Sequence, residues 1–418
     1  MNNGIMRAVE VEGMFLSPVH VGWGNELDPF CSFMRGDRLY YFEMASVVQR
    51  FSERDRAEFL SLVEKNNLIE IRKFLNTRLD PSRDALASIA VSESVVREYS
   101  GKIDDPRNQL IFEPFFRNGN RFIPAIPGSS LKGAIRTAVI DRVLEDRHIT
   151  LEGNTLRNPR AMESWVLGYR SMEADPFKAL KVEDVDLVPG STIIYHVFNY
   201  SPNRATLTNL GLRFEAARSY LDGGNLSFRT VLQFFEGFKD KTIRAGKDRR
   251  PAISMYIEPE FVLSACREFY LKNLHEEHER FYINSPYAEE SRRLVEAASE
   301  LSQDECLIRV GRFTQAESKS INRYRKVMVR GRGGRSRPMD FGTTRNLADG
   351  RYPMGWLKLR FIGLDLKKVG KTTSRTIWQH RKPERDKRKR LVSGTPTRRG
   401  SVDLSALKKK YKIKKQKP

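Results

Sequence analysis

Apolar residues follow two different periods along the chain, and the changes between them predict where strands and helices lie. Apolar–polar alternation and short apolar runs predict strands over residues 8–21, 39–42, 121–126, 191–198, 307–311 and 356–362. Apolar residues three and four apart predict helices over residues 44–75, 131–147, 228–244, 264–281 and 288–301. Strands and helices interleave without a regular β–α repeat. This favours an α+β fold of two ferredoxin-like units with helical insertions.

Domain boundaries follow from length and from a shift in composition. At 418 residues the chain exceeds one typical domain, so we expect an N-terminal domain over 1–250 and a C-terminal domain over 251–366. Residues 367–418 contain few apolar side chains and dense charge, which predicts a mostly disordered basic tail.

The tail also holds most of the net charge. It contains twenty Lys and Arg residues against three acids, and therefore accounts for +17 of the chain's +22. A polyanion such as a nucleic acid is the natural partner, because neutralised phosphates release counterions. The alternative is a solvated tail that only aids solubility.

Other patterns narrow the class of protein. The chain has no run of eighteen apolar residues, and its N-terminus lacks the basic-then-apolar order of a secretory signal. Cys31, Cys266 and Cys306 form no C-x-x-C pair, and the six His residues form no metal motif. We therefore expect a cytoplasmic protein with free thiols, no cofactor, no metal and no membrane span.

The segment 126–138, IPGSSLKGAIRTA, has the most specific chemistry. Pro127 and Gly128 turn the chain out of a strand, and Ser129 or Ser130 is suited to cap the helix that follows. The N–H groups at a helix N-terminus form a natural cradle for a phosphate. The segment therefore predicts a phosphate contact at the start of this helix.

Two cations follow within the same helix. Lys132 and Arg136 are four residues apart and share a face, while Gly133 would let a ligand approach closely. A nucleotide P-loop is a poor match, because Ala134 stands where that motif needs Lys. The set predicts recognition of a nucleic-acid backbone rather than of bases. An ordinary capped helix with solvent-facing cations is the alternative.

The IPGSSLKGAIRTA run resembles the signature of the RAMP superfamily, the repeat-associated subunits of CRISPR effector complexes. Residues 16–22 (LSPVHVG), 175–184 (DPFKALKVED) and 353–359 (PMGWLKL) resemble three further elements of that family. The resemblance spans residues 7–365, and the order of its segments is most similar to one subunit of type III-A effector complexes.

The resemblance implies RNA-recognition-like ferredoxin folds and a non-catalytic subunit that caps the 3′ end of the CRISPR RNA. Its partners would be the CRISPR RNA, the backbone RAMP subunit, the small helical subunit and recruited host nucleases. Its role would be guide maturation and antiviral defence. The guide backbone would be held by Gly128, Ser129, Ser130, Lys132 and Arg136.

His20 and Lys319 complete the implied RNA contacts. Lys319 lies in 309–320, RVGRFTQAESKS, where relatives often have a glycine-rich loop. This chain keeps Gly311, Ser318 and Lys319 there but lacks the middle glycines. A bulkier loop would approach RNA less closely.

An enzymatic alternative depends on His20. In RNA-cutting RAMP relatives a histidine acts as general base toward the ribose 2′-hydroxyl, which would make this chain a metal-independent endoribonuclease. The alternative is that His20 only forms a structural hydrogen bond at the end of its strand. In the backbone RAMP subunit of such complexes, an aspartate in the loop after the first strand supports cleavage, and Asp28 lies in a comparable loop here. Glu26 and Asp28 could also bind a divalent ion weakly. A solvated loop carboxylate is the simpler interpretation.

Overall fold

The computed structural model describes residues 6–105, 110–119, 122–153, 156, 158–238, 253, 255–330 and 335–369. Its strands are β1 (Met6–Phe15), β2 (Ser32–Arg35), β3 (Arg38–Phe42), β4 (Ala85–Val91), β5 (Arg117–Asn118), β6 (Ile123–Ile126), β7 (Leu180–Val182), β8 (Val185–Asp186), β9 (Thr192–Ser201), β10 (Thr206–Ala217), β11 (Ser227–Phe235), β12 (Glu305–Arg309), β13 (Val327–Arg330), β14 (Ser336–Met339), β15 (Arg345–Ala348), β16 (Tyr352–Pro353) and β17 (Trp356–Phe361). Its α-helices are α1 (Met44–Arg50), α2 (Glu53–Glu64), α3 (Leu68–Arg78), α4 (Pro81–Asp84), α5 (Glu93–Lys102), α6 (Gly128–Asp146), α7 (Pro159–Leu167), α8 (Pro259–Glu277) and α9 (Ala288–Ser299).

The first sheet is antiparallel and has the order β12-β17-β1-β11-β7. Along the chain, β1, α6, β7, β11, α8 and β17 follow the β-α-β-β-α-β order of a ferredoxin-like unit, with β12 added at one edge. Strand β1 lies at its centre and hydrogen-bonds to strands that follow it by more than two hundred residues. Both ends of the described chain therefore build this one sheet.

Helices α6 and α8 pack against each other and share the main hydrophobic core. In α6, Leu131, Ile135, Ala138 and Val139 are buried at the spacing of a helix face. The Tyr270 hydroxyl on α8 donates to the Ala134 carbonyl oxygen at 3.1 Å. The first two turns of α6, which contain the signature residues, are thus held in a fixed position.

The second sheet has the order β16-β15-β9-β4-β3-β2, and β10 pairs with β9. Strands β4 and β9 are parallel, and the other neighbours are antiparallel. A separate cluster, with Phe42, Phe59 and Phe74 among its members, packs the α1–α3 region against β2 and β3. Two small sheets, β13-β14 and β5-β6-β8, complete the described strands.

One predicted element is wrong. Residues 228–244 were expected to form a helix, but 227–235 form β11. Phe228, Thr230, Leu232 and Phe234 are the buried residues of this strand, and they recur every second position. The pattern therefore fits a strand with one face against the core. Residues 239–244 lie outside the described part.

The α+β class is confirmed. The division into two ferredoxin-like domains at residue 250 stays a prediction, and each large sheet combines strands from both sides of that residue. The predicted disordered tail lies outside the described residues from 370 onward. Among the helices that the structure describes, none has the length and apolar character needed to cross a membrane.

Candidate nucleic-acid interface

A cleft of about 340 Å³ lies where three segments meet: the chain after β1, the first half of α6 and the loop after β12. We call it the α6 cleft and define it by Gly22, Ser130, Gly133, Arg312, Ser318 and Lys319, which all line it. It brings together two of the predicted RNA contacts, Ser130 and Lys319, although 189 positions separate them in the sequence.

Helix α6 contributes small and hydroxyl-bearing side chains to the cleft. Ser130, Gly133 and Thr137 are three and four positions apart and therefore share one face. A Cβ atom at Gly133 would have no neighbour within 4 Å, so this glycine borders open space rather than another chain segment. The face therefore leaves room for a ligand along the helix.

The two cations of the signature are used inside the protein. The Lys132 ammonium donates to the Leu180 carbonyl oxygen at 2.7 Å. Arg136 forms ion pairs with Glu163 at 2.7 Å and Asp175 at 3.0 Å. Neither cation lines the α6 cleft. Their predicted contact with RNA stays a prediction, and in the structure described both are bound by protein groups.

The start of α6 also differs from the expected phosphate cradle. The helix begins after Pro127, and neither Ser129 nor Ser130 caps it with its side chain, so the predicted serine cap is wrong. Instead, Asp184 accepts the Gly128 N–H at 2.7 Å and places a carboxylate where the phosphate was expected. A Cβ atom at Gly128 would lie 2.1 Å from a backbone oxygen, so this glycine is needed for packing.

The loop after β12 has an unusual backbone. Gly311, Phe313 and Gln315 adopt φ values of 89°, 65° and 60°, in the left-handed region that side chains rarely occupy. Such strain tends to concentrate at binding sites, where the surrounding structure maintains it. Here the backbone N–H of Arg312 donates to the His20 carbonyl oxygen at 2.9 Å, which attaches the loop to the chain after β1.

Gly311 is required for that attachment. A Cβ atom at this position would lie 2.2 Å from the His20 carbonyl oxygen, so any other residue would push the two segments apart. The retained Gly311 thus has a clear role, although the middle glycines typical of this loop in RAMP relatives are missing. The bulkier loop still reaches the cleft.

A buried ionic network holds the other end of the loop. Glu317 pairs with Arg345 at 3.0 Å, and Glu277 on α8 lies 2.8 Å from Arg345 and 2.9 Å from Arg309. All four side chains are buried. Because a buried charge is costly without its partner, this network restrains the backbone next to Ser318 and Lys319.

Ser318 and Lys319 both line the cleft, and they differ in exposure. The Ser318 side chain is buried, and no described residue hydrogen-bonds to its hydroxyl. Lys319 is exposed and forms no ion pair with any described carboxylate. Partial burial of its ammonium, together with the charges of Arg309 and Arg312, lowers its pKa. The cleft thus has unbalanced positive charge, which suits a phosphate.

His20 lies beneath the cleft and is fully buried. Its Nδ1 is 2.6 Å from the Glu215 carbonyl oxygen and so donates the ring proton to it. Burial, with a smaller effect of Arg312, lowers the pKa of His20 to about 4, so the ring is neutral at pH 7. The other ring nitrogen, Nε2, has no hydrogen-bond partner among the described residues and faces Gly22.

The remaining candidate of the sequence, Asp28, has a local structural role. Its carboxylate accepts the Phe30 N–H at 2.8 Å within its own turn. Within the described ranges, no three His, Cys, Asp or Glu side chains come close enough to hold a metal ion. Sequence reasoning missed Thr137 and Arg312, although Arg312 stands in the same loop as Lys319 and the helical spacing of Thr137 from Ser130 could have indicated it.

A family model of the RAMP superfamily matches residues 14–316, which covers most of the chain. The chain belongs to the RAMP superfamily. Among curated proteins it is similar to the CRISPR protein Csm5 of Methanocaldococcus jannaschii, with 24% identity over 190 residues. That match covers 42% of this chain and 42% of the relative, so the chain spans less than half of the curated relative that it matches.

Two solved structures share the fold. One is a chain in the cryo-EM structure of a Csm–crRNA–target RNA ternary complex of a type III-A CRISPR–Cas system, with a TM-score of 0.60 and 20% identity. The match covers 84% of this RAMP protein and all of that chain. The other is the crystal structure of T. onnurineus Csm5, with a TM-score of 0.50, 18% identity, and coverage of 83% and 99%.

Proposed function

We propose that this RAMP protein is a guide-RNA-binding subunit of a type III-A CRISPR effector complex and that the α6 cleft holds the ribose–phosphate backbone. The observation that carries the proposal is the cleft itself. Lys319 and the hydroxyl-bearing Ser130 line the open side of α6 there, next to Gly133. Cations and hydroxyl groups of this kind contact phosphate and ribose and do not distinguish one base from another.

The relatives support the finer role. A shared fold with a chain of a Csm–crRNA–target RNA complex, and similarity to Csm5, favour CRISPR RNA and other Csm subunits as partners in the cytoplasm. As the resemblance implies, the chain would cap the 3′ end of the CRISPR RNA and act in its maturation, with trimming left to recruited nucleases. The two ferredoxin-like domains belong to the same proposal.

The geometry favours a non-catalytic role over an endoribonuclease that uses His20. A general base must come within hydrogen-bond distance of the 2′-hydroxyl proton. The His20 ring is sealed under the cleft, and its Nε2 is not reached by solvent. We interpret His20 and Gly128 as residues that build the cleft, and Ser130 and Lys319 as residues that contact RNA.

The test compares cations inside and outside the cleft, with a single-stranded RNA bound at several salt concentrations. For Lys319→Ala we expect weaker binding and a slope of log affinity against log salt that is smaller by about 0.7, the value for one phosphate of a single strand. Ser130→Ala should weaken binding without changing the slope, because the hydroxyl is uncharged.

Arg136→Ala is the matched control. Because Arg136 is bound by Glu163 and Asp175, its removal should lower the free energy of unfolding by roughly 1–3 kcal/mol and leave the salt slope unchanged. If Arg136→Ala flattened the slope while Lys319→Ala did not, the RNA backbone would lie on the other face of α6. Guide RNAs with unaltered 3′ ends in cells with the Lys319→Ala variant would contradict the capping role.

A further inference from the structure

A series of aromatic rings runs from the core to the edge of the α6 cleft. The His20 ring lies edge-to-face on Phe115, with centroids 6.3 Å apart, and on Phe214 at 4.8 Å. Phe214 in turn meets Phe313 at 4.8 Å and 86°. Phe115 and Phe214 are fully buried, whereas Phe313 is half-buried. The rings therefore form a rigid support that ends at the loop after β12.

Arg312 lies at the outer end of this support. Its guanidinium carbon is 4.7 Å from the centroid of Phe214 and 5.4 Å from that of Phe313. An ion pair with Glu113 holds the guanidinium from the side. The backbone N–H of Arg312 donates to the His20 carbonyl oxygen. The side chain nevertheless remains 51% exposed. A planar group is thus fixed in place with part of its surface open to solvent.

The local charge argues against a phosphate as the ligand of Arg312. Glu113 already balances the guanidinium, and a phosphate that approached Arg312 would meet the carboxylate as well. Lys319, by contrast, forms no ion pair within the described part of the chain. The two cations therefore suit different parts of a nucleotide. Lys319 suits a phosphate, whereas Arg312 offers a flat, delocalised surface.

An unpaired nucleobase fits such a surface, because bases stack on guanidinium planes as they do on aromatic rings. The positive φ of Phe313 supports this interpretation, since the strained backbone places its ring against Phe214 and beside Arg312. A lysine at position 312 would keep the positive charge but would lack the planar guanidinium on which a base stacks.

We propose that Arg312 is a stacking platform for one unpaired base of the RNA strand whose backbone lies in the α6 cleft. The ligand class is single-stranded RNA, and stacking of this kind tolerates any base. The inference rests on the proposed function, because the cleft must bind RNA for the platform to have a base.

The test uses the full chain and a set of RNA strands, each with one abasic nucleotide at a different position. An abasic nucleotide removes the base and keeps the phosphate. For Arg312→Lys we expect roughly tenfold weaker binding to intact RNA, the size of one lost stacking contact, with an unchanged salt slope. That loss should disappear for the one abasic strand that lacks the stacked base.

Two controls make the result specific. Lys319→Ala should weaken binding to every strand of the set, including the abasic one that is insensitive to Arg312→Lys. Arg293→Lys is matched in geometry, because Arg293 lies 4.7 Å from the centroid of Tyr220 outside the cleft, and it should leave RNA binding unchanged. Thermal unfolding of each variant establishes that it is folded.

The outcomes separate the two proposals. If Arg312→Lys weakened binding equally for all abasic strands, or changed the salt slope like Lys319→Ala, Arg312 would contact a phosphate and the stacking platform would be wrong. If Arg312→Lys had no effect while Lys319→Ala did, the platform would be wrong and the cleft would still bind RNA. If the wild-type chain bound none of the strands, the proposed function would be wrong, and the platform with it.

Discussion

At the scale of single residues, the surroundings of a side chain determine what its charge can do. Lys132 and Arg136 have the spacing of an RNA-binding pair, yet protein oxygens bind both of them. Lys319 has no carboxylate partner among the residues described, and partial burial together with two nearby arginines lowers its pKa. A cation that the protein leaves unbalanced is the one that a phosphate can bind.

The pH dependence of RNA binding should reveal Lys319. Because its pKa is lowered, Lys319 loses its proton earlier than a free lysine as the pH rises. As the pH rises, RNA binding should therefore weaken at a lower pH than it would with an unperturbed lysine, and binding should take up a proton in that range. The matched variant Lys319→Arg should keep its affinity over the same range, because arginine stays charged. An identical pH profile for wild type and Lys319→Arg would contradict this.

At the scale of elements, α6 connects the cleft with the core on its other faces. Its residue Asp141 is buried and accepts the Asn322 N–H at 2.8 Å, just beyond the loop that holds Lys319. Burial, and to a lesser extent Glu145, raises the pKa of Asp141 to about 6. The charged carboxylate is therefore unfavourable in the folded chain at neutral pH.

The sign of the effect on stability follows from that pKa. Between the ordinary value of 3.8 and about 6, the folded chain holds a proton that the unfolded chain has lost, so stability decreases as the pH rises. Asp141→Asn removes this cost and could donate to the unpaired Asn322 side-chain oxygen. We expect it to stabilise the chain by roughly 1–3 kcal/mol above pH 6 and to lose this advantage in acid.

Urea denaturation on both sides of that range measures the effect. A gain that is independent of pH would show that the carboxylate does not titrate as described. A loss of stability at neutral pH would show that the charge is needed.

At the scale of the whole molecule, we expect the cleft and the tail to make separate contributions to RNA affinity. The segment 370–418 contains eighteen Lys and Arg residues against three acids, whereas the body of the chain is only weakly basic. Diffuse charge of this kind attracts any polyanion, and added salt weakens this attraction strongly. The cleft adds groups in fixed positions.

Deletion of 370–418 should therefore weaken binding to all RNAs and flatten the salt dependence. In the shortened chain, Arg312→Lys should still weaken RNA binding by the same factor as in the full chain. Fluorescence anisotropy with labelled RNA at several salt concentrations measures both. If the deletion abolished RNA binding altogether, the tail alone would be the RNA-binding element and the cleft would have no role.

Local patterns in the sequence predicted much of the fold. Strands β12 and β17, helix α9 and the turn into α6 follow from residues that lie close together in the chain, because period and turn chemistry are local properties. The basic tail and the family signature are also visible without a structure. The prediction of a helix where β11 lies is wrong, since the apolar residues there fit either period over a short window.

Tertiary structure alone decided which face of α6 lines the cleft. Helical spacing shows that Lys132 and Arg136 share one face and that Ser130 and Thr137 share another, but distant segments determine what each face meets. Asp175 draws Arg136 inward, and the loop with Arg312 and Lys319 comes to the other face because the last strands return to pair beside β1. Packing between residues far apart in sequence, which no local pattern encodes, builds the cleft.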